Sequence, residues 1–178
     1  MSKAMKSGAL KVAVALGMAL VVATGALAGS SGFVARAALT GYQEVPAIST
    51  TANGTFRAEI TATNKIKFRL HYEDVEGGAV TQAHIHFGQK GVTGAIVVFL
   101  CTNLGNGPKG TPACPAAPAT IEGTLTADDM TSLAASQGIA AGEFGELRRA
   151  IRNGFAYVNV HSETYGGGEA RGQLREVD

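Results

Sequence analysis

From Lys65 to Tyr72 the chain reads Lys-Ile-Lys-Phe-Arg-Leu-His-Tyr, with a cation or histidine at every odd position and an apolar side chain at every even one. A helix, turning about 100° per residue, would scatter these apolar groups around its surface. A strand, with a period of two, puts Ile66, Phe68, Leu70 and Tyr72 on one face and Lys65, Lys67, Arg69 and His71 on the other. Such a run folds only where one face is buried and the other solvated. It calls for partner strands that alternate in the same way.

The rest of the chain supplies them. Short runs punctuated by Gly, Asn and Pro read as strands over Ala38–Val45, Gly54–Thr63, Thr81–Phe87, Ala95–Leu100, Thr120–Leu125, Phe155–His161 and Glu169–Arg175. Thr63-Asn64, directly before the Lys65 run, predicts a tight hairpin. Two helical pieces interrupt the strands. Thr126 with Asp128 and Asp129 marks a helix start, and the turn over Ala127–Ser136 ends near Gly138. Glu143–Arg152 places Leu147 and Ile151 four apart, with Gly154 as a stop. The expected fold class is all-β, a Greek-key β-sandwich or barrel with one or two short helices. The expected core is Ile66, Phe68, Leu70, Ile85, Phe87, Val97, Phe99, Val158 and Val160.

Ahead of this pattern lies a different segment. Lys3, Lys6 and Lys11 precede an uncharged apolar run from Val12 to Ala28, which closes on Ala26-Leu27-Ala28. A positive start, an apolar middle and small residues at −3 and −1 describe a secretory signal peptide over residues 1–28. A second small-x-small site at Ala35-Arg36-Ala37 allows cleavage as late as residue 37. Residues 29–37 then read as a linker and 38–178 as one β domain. The apolar run sits at the short end of the ~17–25 residues that span a bilayer. Its Ala and Gly content makes it a poor anchor, so no stable membrane span is expected after cleavage. The chain is expected to be secreted, periplasmic or otherwise extracytoplasmic. A formal net charge of +1 without a basic tract argues against nucleic acid as a partner. Cys101 and Cys114, the only two cysteines, are expected to form a disulfide around a Gly- and Pro-rich loop.

Strand phasing also sorts the polar residues. In Thr81–Phe87 it sends Ala83, Ile85 and Phe87 inward and Gln82, His84 and His86 outward. The two histidines then project from one side of the strand, about 6–7 Å apart along it. That relation suits chelation of a single ion, and Zn, Cu, Fe and Ni all accept imidazole. His161 shares a polar face with Phe155, Tyr157 and Asn159, and Arg171 shares one with Glu169, Gln173 and Arg175. The expectation is a surface site in which His84, His86 and His161 hold one metal, with Arg171 drawing small anions to it. Glu163, Glu169 or a loop carbonyl would accept from the second ring nitrogens. His71, among cations, reads as an ordinary surface histidine. No Gly-x-Ser-x-Gly, His-Glu-x-x-His or phosphate-binding loop is present. Gly166-Gly167-Gly168 reads as a hairpin turn.

Three segments together resemble a CHRD domain, the module named after chordin and found singly in exported microbial proteins. They are Leu39-Thr40-Gly41-Tyr42-Gln43-Glu44-Val45-Pro46, then Ala83-His84-Ile85-His86-Phe87-Gly88, and Tyr157-Val158-Asn159-Val160-His161 with Gly168-Glu169-Ala170-Arg171-Gly172-Gln173-Leu174. The resemblance runs from about Ala38 to Arg175 and implies a β-rich module. A fainter resemblance, on His84-Ile85-His86-Phe87-Gly88 and on Val160-His161 with Ala170-Arg171, is to copper/zinc superoxide dismutases. It implies copper ligation by His84, His86 and His161, with Arg171 facing the open metal position. This chain has no histidine-rich zinc loop after Gly88 and no counterpart of the histidine that bridges the two metals. With no catalytic constellation in view, the expectation is a non-enzymatic binding module, for a protein or surface polymer, that carries a copper or zinc site. The alternative is a copper- or zinc-dependent extracytoplasmic metalloprotein with dismutase-like oxidoreductase chemistry.

Overall fold

The computed structural model describes residues 1 and 31–177. The expected signal peptide therefore lies outside the described residues, apart from Met1. Nine strands follow: β1 (Phe33–Thr40), β2 (Asn53–Ile60), β3 (Ile66–Glu73), β4 (Val80–Phe87), β5 (Ala95–Thr102), β6 (Ala119–Leu125), β7 (Ala156–Ser162), β8 (Ala170–Gln173) and β9 (Arg175–Val177). They form one antiparallel sheet in the order β5-β4-β7-β8-β1-β2-β3-β6, with short β9 also paired to β1. The sheet curls into a nearly closed barrel. Its two ends, β5 and β6, are bridged by the chain just after β6: Val98 pairs with Met130, and Thr131 donates its N–H to Val97 O (2.8 Å).

The strand that opened the sequence reading behaves as its alternation requires. Ile66, Phe68, Leu70 and Tyr72 are buried and their odd-numbered neighbours are not. β3 pairs in register with β2, from Ile60↔Ile66 to Asn53↔Glu73. Asn64 takes the left-handed conformation (φ 58°) in the connecting turn, which an Asn tolerates better than most residues. One helix, α1 (Phe144–Arg152), buries Phe144, Leu147, Ala150 and Ile151 and packs against β7 and β9. The expected turn over Ala127–Ser136 is two 3-10 turns, Ala127–Asp129 and Ala135–Gln137. The first is closed by reciprocal bonds between Thr126 and Asp129.

The first strand corrects the sequence reading. It runs over Phe33–Thr40 rather than Ala38–Val45, so much of the expected linker is β structure. Gly41–Gln43 is a 3-10 turn. β1 buries Phe33, Ala35, Ala37 and Leu39 and pairs with β2 along its whole length. Cleavage after Ala37 would remove five of the eight residues of this strand and leave Phe56–Ile60 of β2 without that partner, whereas cleavage after Ala28 spares it. Of the expected core, Ile66, Phe68, Leu70, Ile85, Val97, Val158 and Val160 join one apolar cluster, while Phe87 is only partly buried. Phe99 is buried outside that cluster, edge-on to His84 at 4.4 Å between ring centroids.

Cys101 and Cys114 form the expected disulfide, which closes a loop between residues 13 apart. Closing a loop of that length removes ~3 kcal/mol of unfolded-state entropy. Replacing both cysteines by alanine is expected to lower unfolding free energy by about that amount in urea denaturation. An unchanged midpoint would show that the bridge adds nothing.

Candidate metal centre

β1, β2 and β3 are buried on alternate residues only, but β7 is buried at every position and β4 continuously from Ala83 to His86. The wall of the barrel here is covered on both sides. The inner side carries Ala83, Ile85, Val158 and Val160 into the apolar cluster. The outer side carries His84, His86, Tyr157, Asn159, His161 and Arg171, all of them buried. Strand phasing therefore assigned the histidines to the correct face. The expectation that this face is solvated is overturned: His84 is 0 %, His86 6 % and His161 5 % exposed. Loops do the covering. Gly94 packs its peptide against His86 and Tyr157, Gly166 lies on His161, and Gln89 and Val92 lie on Arg171.

The sheet brings the three histidines together. β4 pairs with β7 so that His84 faces Asn159 and His86 faces Tyr157, with His161 beside them on β7. The ring centroids are 4.9 Å apart for His84 and His161 and 5.3 Å for His84 and His86. One candidate ligand atom from each residue lies within 4.8 Å of the others. Three nitrogens around an ion at ~2.1 Å are about 3.5 Å apart, so binding draws the rings inward by about an ångström.

Tautomers follow from the partners. A carbonyl only accepts, so His86 Nδ1–H donates to Gly94 O (2.9 Å) and His161 Nδ1–H donates to Gly166 O (3.0 Å). Both neutral rings then present a bare Nε2 to the cluster, and His86 Nε2 is buried with no partner. Loop carbonyls thus serve as the outer acceptors, a role metal-ligating histidines ordinarily require of their surroundings. His161 Nε2 is faced at 3.1 Å by both His84 Nδ1 and Asn159 Oδ1, of which only His84 can supply a proton. His84 Nε2 is the second buried ring nitrogen without a partner. Moving the His84 proton to Nε2 would present a third lone pair at Nδ1. An orphaned buried nitrogen and converging lone pairs fit a cation.

Burial keeps these rings uncharged. It lowers His84 to about 2, with His161 and His86 adding to the effect, and lowers His86 to about 4 against the opposing bond to Gly94. His161 is lowered as well, again chiefly by burial. Protons therefore begin to compete with a metal well below the ordinary histidine range, not near ~6.5 as free imidazole would.

The other predicted groups fall differently. Glu163 accepts from Ala79 N (3.2 Å) at the surface, and buried Glu169 accepts from Thr50 Oγ1, Glu76 N and Gly77 N. None of these bonds reaches a histidine, so neither carboxylate orients the cluster. Arg171 stacks on Tyr157, with its guanidinium carbon 3.4 Å from the ring centroid, and donates to Gln89 O (3.2 Å) and Val92 O (2.8 Å). Tyr157 stacks in turn on His86 at 4.6 Å. In the strand order β4-β7-β8, Tyr157 stands between the two, so Arg171 clamps the covering loop rather than facing the ligand atoms. His71 stays apart, with Nδ1 3.2 Å from Thr120 Oγ1.

Two residues of the site carried no sequence-level assignment. Asn159 shares the polar face of His161, a position readable from the period of two. Glu44 comes from the turn after β1, and it is buried against Asn159 and Gly168. Nothing local in the sequence distinguishes it from a surface glutamate.

The fold and the cluster define a single β-barrel domain with a buried three-histidine centre under its loops. The chain matches the CHRD domain over residues 35–174 and belongs to that family. No curated protein matches it.

Proposed function

We propose that this protein is an extracytoplasmic CHRD-domain metalloprotein that holds one copper or zinc ion on His84, His86 and His161. The observation that carries the reading is the pair of bare Nε2 atoms on His86 and His161, each set by a backbone carbonyl on the far side of its ring. A set of imidazoles suits copper and zinc better than calcium or magnesium. Three protein ligands leave a coordination position open, as in catalytic rather than structural zinc sites. Export is supported by the disulfide, which persists in oxidising compartments, and by the signal-peptide pattern of residues 1–28. Among the described residues no helix is long and apolar enough to cross a membrane.

The bound ion would act at that position as a Lewis acid or, if copper, as a one-electron centre. The chain's own contribution is exclusion of water, with the rings buried and the His86 and His161 tautomers fixed, and a loop cover held by Arg171. Competition titration of the metal-free protein against a chromophoric chelator, with zinc and then copper, is expected to give about one ion per chain. Absence of binding for both metals would contradict the proposal.

A further inference from the structure

Among the described residues two carboxylates are buried, Glu44 and Glu169. Glu169 is fully engaged by Thr50, Glu76 and Gly77. Glu44 is not: its Oε1 is buried without a partner. It reaches the metal cluster through one residue. Asn159 adjoins Glu44 beside Gly168, while its Oδ1 lies 3.1 Å from His161 Nε2. A Cβ on Gly168 would collide with both Glu44 Oε1 and Asn159 Nδ2, so a glycine is needed for that approach.

The charges around this carboxylate are few. Arg171 faces it from β8, and Tyr157 and Asn159, both neutral, from β7. Lys90 lines the same cleft of about 220 Å³ from the loop after β4. Tyr165 and Thr164 border its other side, in the cleft beside Gly168. The histidines themselves are neutral. A divalent ion adds two positive charges beside Arg171 in a site closed to water, and Glu44 is the buried carboxylate placed to offset them.

We propose that Glu44 is the charge-compensating carboxylate of the three-histidine centre, so that capture of a divalent ion expels a proton from Glu44 rather than from any ligand. The inference rests on the metal-centre reading above. The proton is there to be expelled: burial pushes Glu44 up to about 7, against the lowering influence of Arg171, Asn159 and the Val45 N–H. The ligands have none to give: the Nδ1–H of His86 and of His161 stays on its carbonyl acceptor, and the His84 proton moves between that ring's own two nitrogens.

The test is calorimetric titration of the full metal-free protein with zinc, in buffers of differing ionisation enthalpy. Wild type is expected to release about half a proton per ion at pH 7 and close to one at pH 6. Its zinc affinity should rise about tenfold from pH 6 to pH 8. Glu44→Gln preserves size and hydrogen bonding, and is expected to bind zinc with no proton release and a flat affinity over that range. Glu163→Gln, at the surface, should behave as wild type. Zinc binding with the same proton release in Glu44→Gln would overturn the role of Glu44 while leaving the metal centre standing. Failure of every form to bind zinc would overturn the metal-centre reading and this inference with it.

Discussion

Substitution of His161 by alanine is expected to weaken zinc and copper binding by more than ~100-fold, beyond what loss of a merely orienting partner costs. The ring supplies a ligand from β7, whereas His84 and His86 both come from β4. Without it the two remaining imidazoles chelate from one strand with no third anchor. His86 presents its bare Nε2 because its Nδ1–H is held by Gly94 O, so His86→Ala should cost a similar factor. His71→Ala, on the solvated face of β3, should leave affinity unchanged. Competition with a chelator of known affinity measures all three. Unaltered binding in His161→Ala would show that the ion sits elsewhere.

Acidification of the metal-free protein should lower its stability by at least about 1 kcal/mol between pH 6.5 and pH 5. Each histidine is held in the fold below its unfolded value near 6.5. Its contribution is therefore complete above pH 6.5 and is lost as the unfolded chain takes up protons that the native rings refuse. The loss continues toward the native values of about 4 for His86 and about 2 for His84. His84 and His86 together lose on the order of 3 kcal/mol over that span, and His161, also lowered by burial, adds a loss of the same sign. Glu44 has the opposite sign. Its native value, raised to about 7, lies above the unfolded 4.5, so its contribution is complete below pH 4.5 and is lost as pH rises through 7. Falling pH thus returns about 2 kcal/mol from this group over the same span. Urea denaturation of the metal-free chain at the two pH values measures the net change. His86→Phe, which keeps a ring against Tyr157, should shed about half of the loss that His84 and His86 contribute together. Equal stability at both pH values would mean that the rings are not held neutral.

The alternation from Lys65 to Tyr72 was enough to phase β3, since one of its faces meets solvent and the other the core. The same rule phased β4 and β7 correctly but misjudged their surroundings. Alternation says which side chains share a face, not what covers it. The cover on His84, His86 and His161 comes from Gly94, Gly166 and the loop held by Arg171. Those contacts leave no mark in local periodicity. Glu44 was missed for the same reason, because its partner Asn159 lies on a strand far along the chain. Phe33–Ala37 was read as linker because small residues at 35 and 37 resemble a cleavage site. In the barrel their small size suits the buried face of β1 against β2. The clusters of Gly and Pro were more legible, and the triple glycine at 166–168 forms the expected turn between β7 and β8.

In the metal-loaded protein His84, His86 and His161 are expected to hold one ion between them. Anomalous diffraction at the zinc and copper edges, from crystals of the metal-loaded protein, tests this most directly. A single strong peak per chain is expected, ~2.0–2.1 Å from one nitrogen of each of the three rings, with Gly94 O and Gly166 O still bonded to the outer nitrogens of His86 and His161. A loaded crystal with no peak there, or with its peak at His71 or another surface group, would contradict it.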